Sequence, residues 1–377
     1  TNKEAVAGAE VTLSGKQAKL PFDAILSSLV VKSASSSESP LVKDTDYAAY
    51  YSDGSLIVET IEGGAAKDAT KLYISYDKIK TADIDDDDIV KGIEAIDLCM
   101  ATVSTTPDLI IAPGWSHTST VQAVMAAKAE VINGILGAKS ICDIDCSANG
   151  ARSYDAVAAK KSATNLIDPA QIAVWPQVKL GSKQFHLSTQ LAGLMAKVDS
   201  GNDGVPYESP SNKALQCDGA CLEDGTDVTL TLEQANILNA NGICTALKFM
   251  NGFVAWGNYT ACYPSNTDIK DYFIPISRMF KWVGNSLIKT FWSKTDSPMN
   301  RRLLDNIKDS ANNWLAGLVG SEYLLGARVE ILDSENPMTD LMAGIVRIHI
   351  YMTPPSPAQE IDFVLEYDTD YVQSALA

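Results

Sequence analysis

The 377-residue chain carries a formal net charge of −17 with 46% hydrophobic and 20% charged residues, a balance of folded protein that excludes a disordered or low-complexity chain. The acidic excess argues against sequence-independent nucleic-acid binding, which depends on lysine and arginine neutralising phosphates. No apolar run approaches the roughly 20 residues that span a bilayer, and residues 1 to 30 lack a basic start followed by an apolar core, so neither direct membrane insertion nor a secretory signal is expected. The first residue is Thr1 rather than Met, consistent with a removed initiator or with a longer chain upstream.

Residues 1–92 read as a β-rich domain: Ile25–Lys32, Tyr47–Tyr51, Ser55–Ile61 and Lys71–Tyr76 are rich in β-branched and aromatic residues and are separated by serine-rich, Asp53-Gly54 and Gly63-Gly64 breaks. Asp83, Asp85, Asp87 and Glu94 partly match a calcium loop, but Asp88 stands where the turn needs glycine and Lys91 where a ligand belongs. An acidic start to the next helix, favourable against its dipole, is the preferred reading. Residues 93–230 read as an α/β domain. A helical stretch over 89–103 is followed by the short apolar run Pro107–Ala112, a Pro113-Gly114 turn and an alanine-rich helix in which Val121, Val124, Met125, Val131, Ile132 and Ile135 share a face. Strand Ser140–Asp145, helix Ser153–Lys161 and strand Gln171–Val178 continue an alternation that predicts a parallel sheet covered by helices.

This region holds several chemical look-alikes. Ser116 beside His117 suggests a hydrolase nucleophile, yet a nucleophile elbow needs glycine two places to either side and Thr118 occupies one of them. Ser116 instead suits a helix N-cap. Asp143 and Asp145, two apart at a strand end, fit an acidic loop better than a metal or acid/base pair. No phosphate-binding glycine loop occurs. The seven cysteines are an odd number, and the Cys142/Cys146 and Cys217/Cys221 pairs are spaced one residue too widely for a zinc ribbon. With only His117, His186 and His349 to join them, they read as reduced, buried thiols, and neither a metal nor a cofactor is expected.

Residues 231–377 read as an α+β C-terminal domain. Thr229 or Thr231 caps a short helix that Asn239-Ala-Asn-Gly242 ends, a hairpin turns at Asn251-Gly252, and two long helices follow with apolar stripes at Ile276, Met279, Phe280, Val283, Leu287, Phe291 and at Leu303, Ile307, Trp314, Leu318. Between Tyr272 and Arg328 eight bases stand against four acids, a basic segment in an acidic chain that suits an acidic partner. A terminal arm over 353–377 begins with Pro354-Pro355-Ser356-Pro357, a stiff extended spacer, and carries the cleanest strand pattern in the chain. There Ile361, Phe363, Leu365 and Tyr367 alternate with Asp362, Val364 and Glu366, giving one apolar face that can pair within the molecule or add to a neighbour's sheet edge. The fold class is therefore multidomain α+β / α/β, ending in an exchangeable β-strand.

From about Pro107 to its end the chain resembles the tail sheath proteins of contractile phage tails, including those of R-type bacteriocins and contractile injection systems. The matching segments, in order, are Pro107–Gly114, Leu191–Asp199, Gly204–Asn212, Leu238–Ile243, Trp256-Gly257-Asn258, Ile274–Arg278, Gly326-Ala327 and Pro354–Glu360. The resemblance implies a structural protein without enzymatic activity. Such a protein polymerises as a six-start helix of stacked homo-hexameric rings around an inner tube and contracts to drive the tube through a cell envelope. Its implied partners are further copies of itself, the inner tail tube protein, and baseplate and tail terminator proteins. It would belong to a virion tail or other contractile particle assembled in the bacterial host cytoplasm. Ile361, Phe363, Leu365 and Tyr367 become the inter-subunit strand donor, and Lys281, Lys289, Arg301, Arg302 and Lys308 are candidate contacts to the tube or to an acidic neighbour. Two departures stand out: no equivalent of the family's extended N-terminal arm precedes the β-rich segment, and Tyr259 follows Trp-Gly-Asn where relatives often have arginine. The competing readings are an α/β hydrolase using Ser116 and His117, and a surface-layer lattice, which the missing secretory signal disfavours.

Overall fold

The computed structural model describes every residue except Thr1, Glu38, Asn251 and Ala377, and the side chains of all but those and Gln373 and Ala375. The chain divides into two compact units, Thr1–Asp88 and Ile89–Ala377.

The first unit contains strands β1 (Lys3–Thr12), β2 (Gln17–Pro21), β3 (Val30–Lys32), β4 (Tyr47–Ser52), β5 (Ser55–Thr60) and β6 (Lys71–Ile79). They form two three-stranded sheets ordered β1-β6-β3 and β2-β5-β4, every pairing antiparallel. Their shared core joins Leu20, Leu56 and Val58 from one sheet to Val31, Leu72 and Ile74 from the other. Two strands go beyond the sequence reading: β1 and β2 are built largely from Ala, Gly, Glu, Lys and Gln, whose strand preference is low. The expected strand at Ile25 starts only at Val30, because Leu26–Ser28 forms a single 3-10 turn. Helix α1 (Asp86–Glu94) opens with Asp86, Asp87 and Asp88 in its first turn.

The second unit is organised on a five-stranded sheet ordered β15-β14-β9-β8-β7, with β7 (Leu109–Ile111), β8 (Lys139–Asp143), β9 (Gln171–Val174), β14 (Ile243–Lys248) and β15 (Phe253–Trp256). The first four are mutually parallel, and β15 closes the edge antiparallel to β14. Lys139–Asp143 and Gln171–Val174 are buried throughout, the signature of strands covered on both faces. Helices α3 (Ser119–Glu130), α4 (Tyr154–Ala163) and α6 (Leu232–Asn239) supply Val121, Met125, Val157 and Leu238 to one core. Helix α5 (Leu187–Gly201) supplies Leu191, Leu194 and Met195 to the other. A short helix α2 (Cys99–Val103) precedes β7, and β10 (Gln177–Leu180), β11 (Lys183–Phe185), β12 (Gly219–Cys221) and β13 (Asp227–Val228) form a separate antiparallel sheet ordered β11-β10-β12-β13.

Three expectations need correction here. The boundary placed at 230/231 falls within one structure, since β14 and β15 complete the sheet of β7–β9. Helix α3 ends at Glu130, so Val131, Ile132 and Ile135 leave its stripe, and Ile132 instead bridges Leu136 in a tight turn. The single strand read over Gln171–Val178 is two, parted at Trp175-Pro176, and its halves enter different sheets. The Thr231 cap forms as a reciprocal box, Thr231 Oγ1 accepting from the Gln234 N–H at 3.2 Å and Gln234 Oε1 from the Thr231 N–H at 3.0 Å. The hairpin of β14 and β15 also forms, and its Asn251 lies outside the described residues.

Beyond a one-turn helix α7 (Ile269–Tyr272), the long helices α8 (Ile274–Phe291) and α9 (Arg301–Gly320) pack against a two-stranded antiparallel sheet of β16 (Gly326–Glu330) and β17 (His349–Thr353). Met279, Val283, Ala311, Leu315, Leu318 and Val329 form the core of this block. A short helix α10 (Met338–Met342) lies between β16 and β17, and α11 (Asp370–Leu376) ends the chain.

Candidate assembly surfaces

Ser116 is fully buried and its Oγ faces Asp143: it donates to Asp143 Oδ2 at 3.0 Å and accepts from the Asp143 N–H at 3.0 Å. The same carboxylate accepts the Ser188 hydroxyl at 2.6 Å and the Ser188 N–H at 3.0 Å, which fastens β8 to the start of α5. The hydroxyl is thus engaged on both sides by an acid, out of reach of solvent, and among the described residues it has no histidine partner. That removes the geometry of the hydrolase reading and also the N-cap reading, since the cap position of α3 is Thr118. Ser116→Ala should therefore lower thermal stability by about 1–3 kcal/mol, the cost of stranding buried groups, which a melting curve checks. Asp145 pairs with Lys160 at 2.9 Å; burial pushes its carboxyl up, but Lys160 and Ser147 together hold it at about 2. All seven cysteines are free, and burial pushes the Cys142 and Cys244 thiols up to about 12, which keeps them protonated and unreactive.

The segments singled out in the sequence converge where α8 meets the five-stranded sheet. Asp199, at the end of α5, receives both terminal nitrogens of Arg278, with Nη1 at 3.0 Å from Oδ1, in a buried two-pronged pair. Asn285, two turns further along α8, grips Gly137 in both directions, donating to its carbonyl at 2.7 Å and accepting from its N–H at 2.9 Å. The Asn258 carbonyl accepts the Ile274 N–H at 2.8 Å and so aims α8. Just before it, Gly257 has φ of +140°, and a Cβ there would lie 2.8 Å from Asn239 Oδ1 and 3.0 Å from the Cys244 Cα, so no other residue fits without displacing backbone.

Lys139 is 2% exposed in this seam and donates to the Pro169 carbonyl at 2.7 Å and to Ser277 Oγ. Burial, aided by the Lys281 charge, pushes its ammonium down to about 7 against the opposing pull of Glu130, Asp168 and Asp271. The folded state therefore binds this proton less tightly than the unfolded chain, whose lysines titrate near 10.4. Between those two values the unfolded state holds more protons, so this group makes stability rise with pH and its penalty is complete below pH 7. Lys139→Met should raise the melting temperature most at pH 6, with the difference shrinking as pH approaches 10.

The cations proposed for outside contacts separate by environment. Lys281 turns inward, its Nζ bonding the Glu130 carboxylate at 2.6 Å and the Glu130 carbonyl at 2.9 Å. Lys289, Arg301 and Arg302 are exposed and Lys308 is half-buried. Arg301 reaches Asp305 one turn along α9 at 3.6 Å, an exposed contact of little energetic weight. Exposed Trp292 lies in the turn region between α8 and α9, close in sequence to Lys289 and Lys294.

The arm leaves β17 at buried Pro354 and runs past the stacked rings of Tyr259 and Tyr263, whose centroids are 4.2 Å apart. Tyr259 Oη donates to Gln359 Oε1 at 2.8 Å. Where an arginine would carry charge, Tyr259 thus offers a ring face and one hydrogen bond to the arm. Beyond Gln359 the apolar side chains are largely exposed: Ile361 is 71% exposed, Phe363 84%, Leu365 94% and Tyr367 78%, and none belongs to a strand. Among the described residues, the segment Ile361–Tyr367, expected as a strand, has no strand partner. The sheet nearest in sequence has only two strands, while Trp282, Leu287, Phe291 and Trp314 stay half-buried on the helices it covers. Two strands leave that apolar stripe incompletely shielded.

No family model matches the chain. It is 27% identical over 187 residues to a tail sheath protein of Burkholderia phage BcepMu, a match covering 49% of this chain and 39% of that protein. It is 23% identical over 290 residues to a putative prophage major tail sheath protein of Pseudomonas aeruginosa strain UCBPP-PA14, covering 76% of this chain and 71% of the relative. The fold matches the sheath of an extracellular contractile injection system (PVC) in its contracted state with a TM-score of 0.59 at 18% identity, over 76% of this chain and 82% of that one. It matches the contracted helical sheath of the anti-feeding prophage with a TM-score of 0.57 at 20% identity, over 73% of this chain and 74% of that one. By sequence the chain is thus similar to contractile tail sheath proteins of a phage and a prophage, and it shares the mixed α/β fold of contractile injection system sheaths.

Proposed function

We propose that the chain is the structural subunit of a contractile sheath, which polymerises as a six-start helix of hexameric rings around an inner tube and shortens to drive that tube through a cell envelope. The observation that carries the assembly half of this reading is a pair of complementary features among the described residues: an exposed segment at Ile361–Tyr367 with an alternating apolar pattern and no partner, and a two-stranded sheet with an open edge. Each feature in one copy is met by the other in its neighbour, through backbone hydrogen bonds that tolerate rotation of the bodies they link. The proline spacer provides reach without flexible slack. Contraction needs no nucleotide if assembly traps the lattice in a higher-energy packing that relaxes by gaining interface.

On this reading Lys289, Arg301, Arg302 and Lys308 face the inner tube protein or an acidic neighbour, and baseplate and tail terminator proteins cap the polymer. The particle is a virion tail or a related contractile machine assembled in the host cytoplasm. Removing residues 358–377 should leave a folded monomer and abolish the striated tubes seen by negative-stain electron microscopy of the intact chain. Tubes formed equally by the truncated chain would reject the reading. Reversing the charge of Lys289, Arg301, Arg302 and Lys308 together should reduce assembly on the tube, measured by co-sedimentation, and unchanged assembly would remove those residues from the contact.

A further inference from the structure

The two edges of the β16–β17 sheet are not equivalent. In an antiparallel pair, alternate opposed residues turn their N–H and C=O away from each other, and these outward groups form the edge. Val329 of β16 is such a residue, because both its backbone groups are met from outside by one side chain of α9. Asn312 Oδ1 accepts from the Val329 N–H at 2.9 Å, and Asn312 Nδ2 donates to the Val329 carbonyl at 3.4 Å. A primary amide carries a donor and an acceptor as a peptide group does, so Asn312 stands in for one residue of an adjacent strand.

On β17, Ile350 lies opposite Val329 and therefore also turns its backbone groups outward, as does Met352 two places on. Among the described residues, no backbone or side-chain group meets those N–H and C=O groups. One edge is partly closed at its middle, and the other offers successive open positions.

We infer that Asn312 reserves the β16 edge and thereby directs the donated strand of a second copy, Ile361–Tyr367, to the outer edge of β17. The inference rests on the strand exchange proposed above and adds its direction. The donor acts in trans because its own arm is held: three prolines in four residues keep it extended, and the Tyr259–Gln359 bond fastens it to the body at Tyr259. On β17 the incoming strand gains backbone bonds without displacing any, and its apolar face continues the sheet's cover over the half-buried rings and leucine of α8 and α9. On β16 it would first have to break both Asn312 bonds, a handicap of about tenfold in occupancy for two modest hydrogen bonds.

The test carries a benzophenone amino acid in place of Leu365 in the full chain and mixes isotope-labelled with unlabelled protein, so that mass spectrometry counts only crosslinks between copies. The expected result is crosslinking to β17 and its flanks in about tenfold excess over β16. In Asn312→Ala, checked for an unchanged circular dichroism spectrum, the β16 share should rise to within about twofold of β17. Predominant crosslinking to β16 in the unsubstituted background would overturn the direction while leaving strand exchange intact. An unchanged ratio in Asn312→Ala would overturn the role of Asn312, and the absence of inter-copy crosslinks to either strand would overturn the exchange itself.

Discussion

Phe363→Asp combined with Leu365→Asp is expected to abolish polymer formation while leaving the melting temperature of the monomer within about a degree of the parent. The unchanged melting temperature follows from the exposure of these side chains, 84% and 94%, which gives them almost no contact to lose within their own chain. The loss of polymer follows from the apolar face they provide with Ile361 and Tyr367. Burying a Phe or Leu side chain contributes about 1.5–3 kcal/mol each, so two carboxylates in their place remove the gain and add a desolvation cost. Repeated at every subunit, that raises the concentration needed for assembly by at least about a hundredfold. Light scattering against protein concentration reads the threshold, and a double variant that polymerises at the parent concentration would remove these side chains from the interface.

The second large effect is on the fold. Arg278→Ala should destabilise the chain by about 3 kcal/mol, because it leaves Asp199 as an uncompensated, largely buried carboxylate. Removing both charges together, Arg278→Met with Asp199→Leu, should restore most of the loss, since the desolvation cost of both ions disappears with their attraction. Guanidinium unfolding curves of the three variants measure this directly. The pair joins α5 to α8, and with Asn285 on Gly137 it makes a rigid seam between the parallel sheet and the helices that carry β16 and β17. Under the proposed strand exchange, a subunit would pass force from that sheet to its body through such a seam, and the double variant distinguishes rigidity from charge: it should fold normally and also assemble.

What the sequence disclosed was mostly local. The βαβ alternation and the Thr231 capping box depend on neighbours within a few residues, and both are visible in the chain. The features that escaped detection depend on distant partners. Arg278 was only one of the eight bases of a basic segment until Asp199, 79 positions earlier, closed on it, and Lys281, a candidate for an outside contact, is bound to Glu130. Strand β1, with its bulge between Val6 and Ala9, has no alternating apolar face because most of it is exposed, so it carried no pattern to read. The join between β14 and β9 is a parallel pairing across about seventy residues, which no local composition shift announces. Ser116 was suggestive by its neighbours alone, yet its chemistry is decided by Asp143 across the sheet. Asn312 gave no signal at all, since an asparagine inside an amphipathic helix is ordinary until its amide is found on a strand edge.

The central claim is that subunits are joined by the exchange of Ile361–Tyr367. A cryo-electron-microscopy map of the assembled sheath, at side-chain resolution, tests it most directly. A third strand is expected beside β16 and β17 in every subunit, traceable to residues 361–367 of a neighbouring copy. A polymer in which that sheet gains no strand from a neighbour's residues 361–367, and those residues stay unpaired, would contradict it.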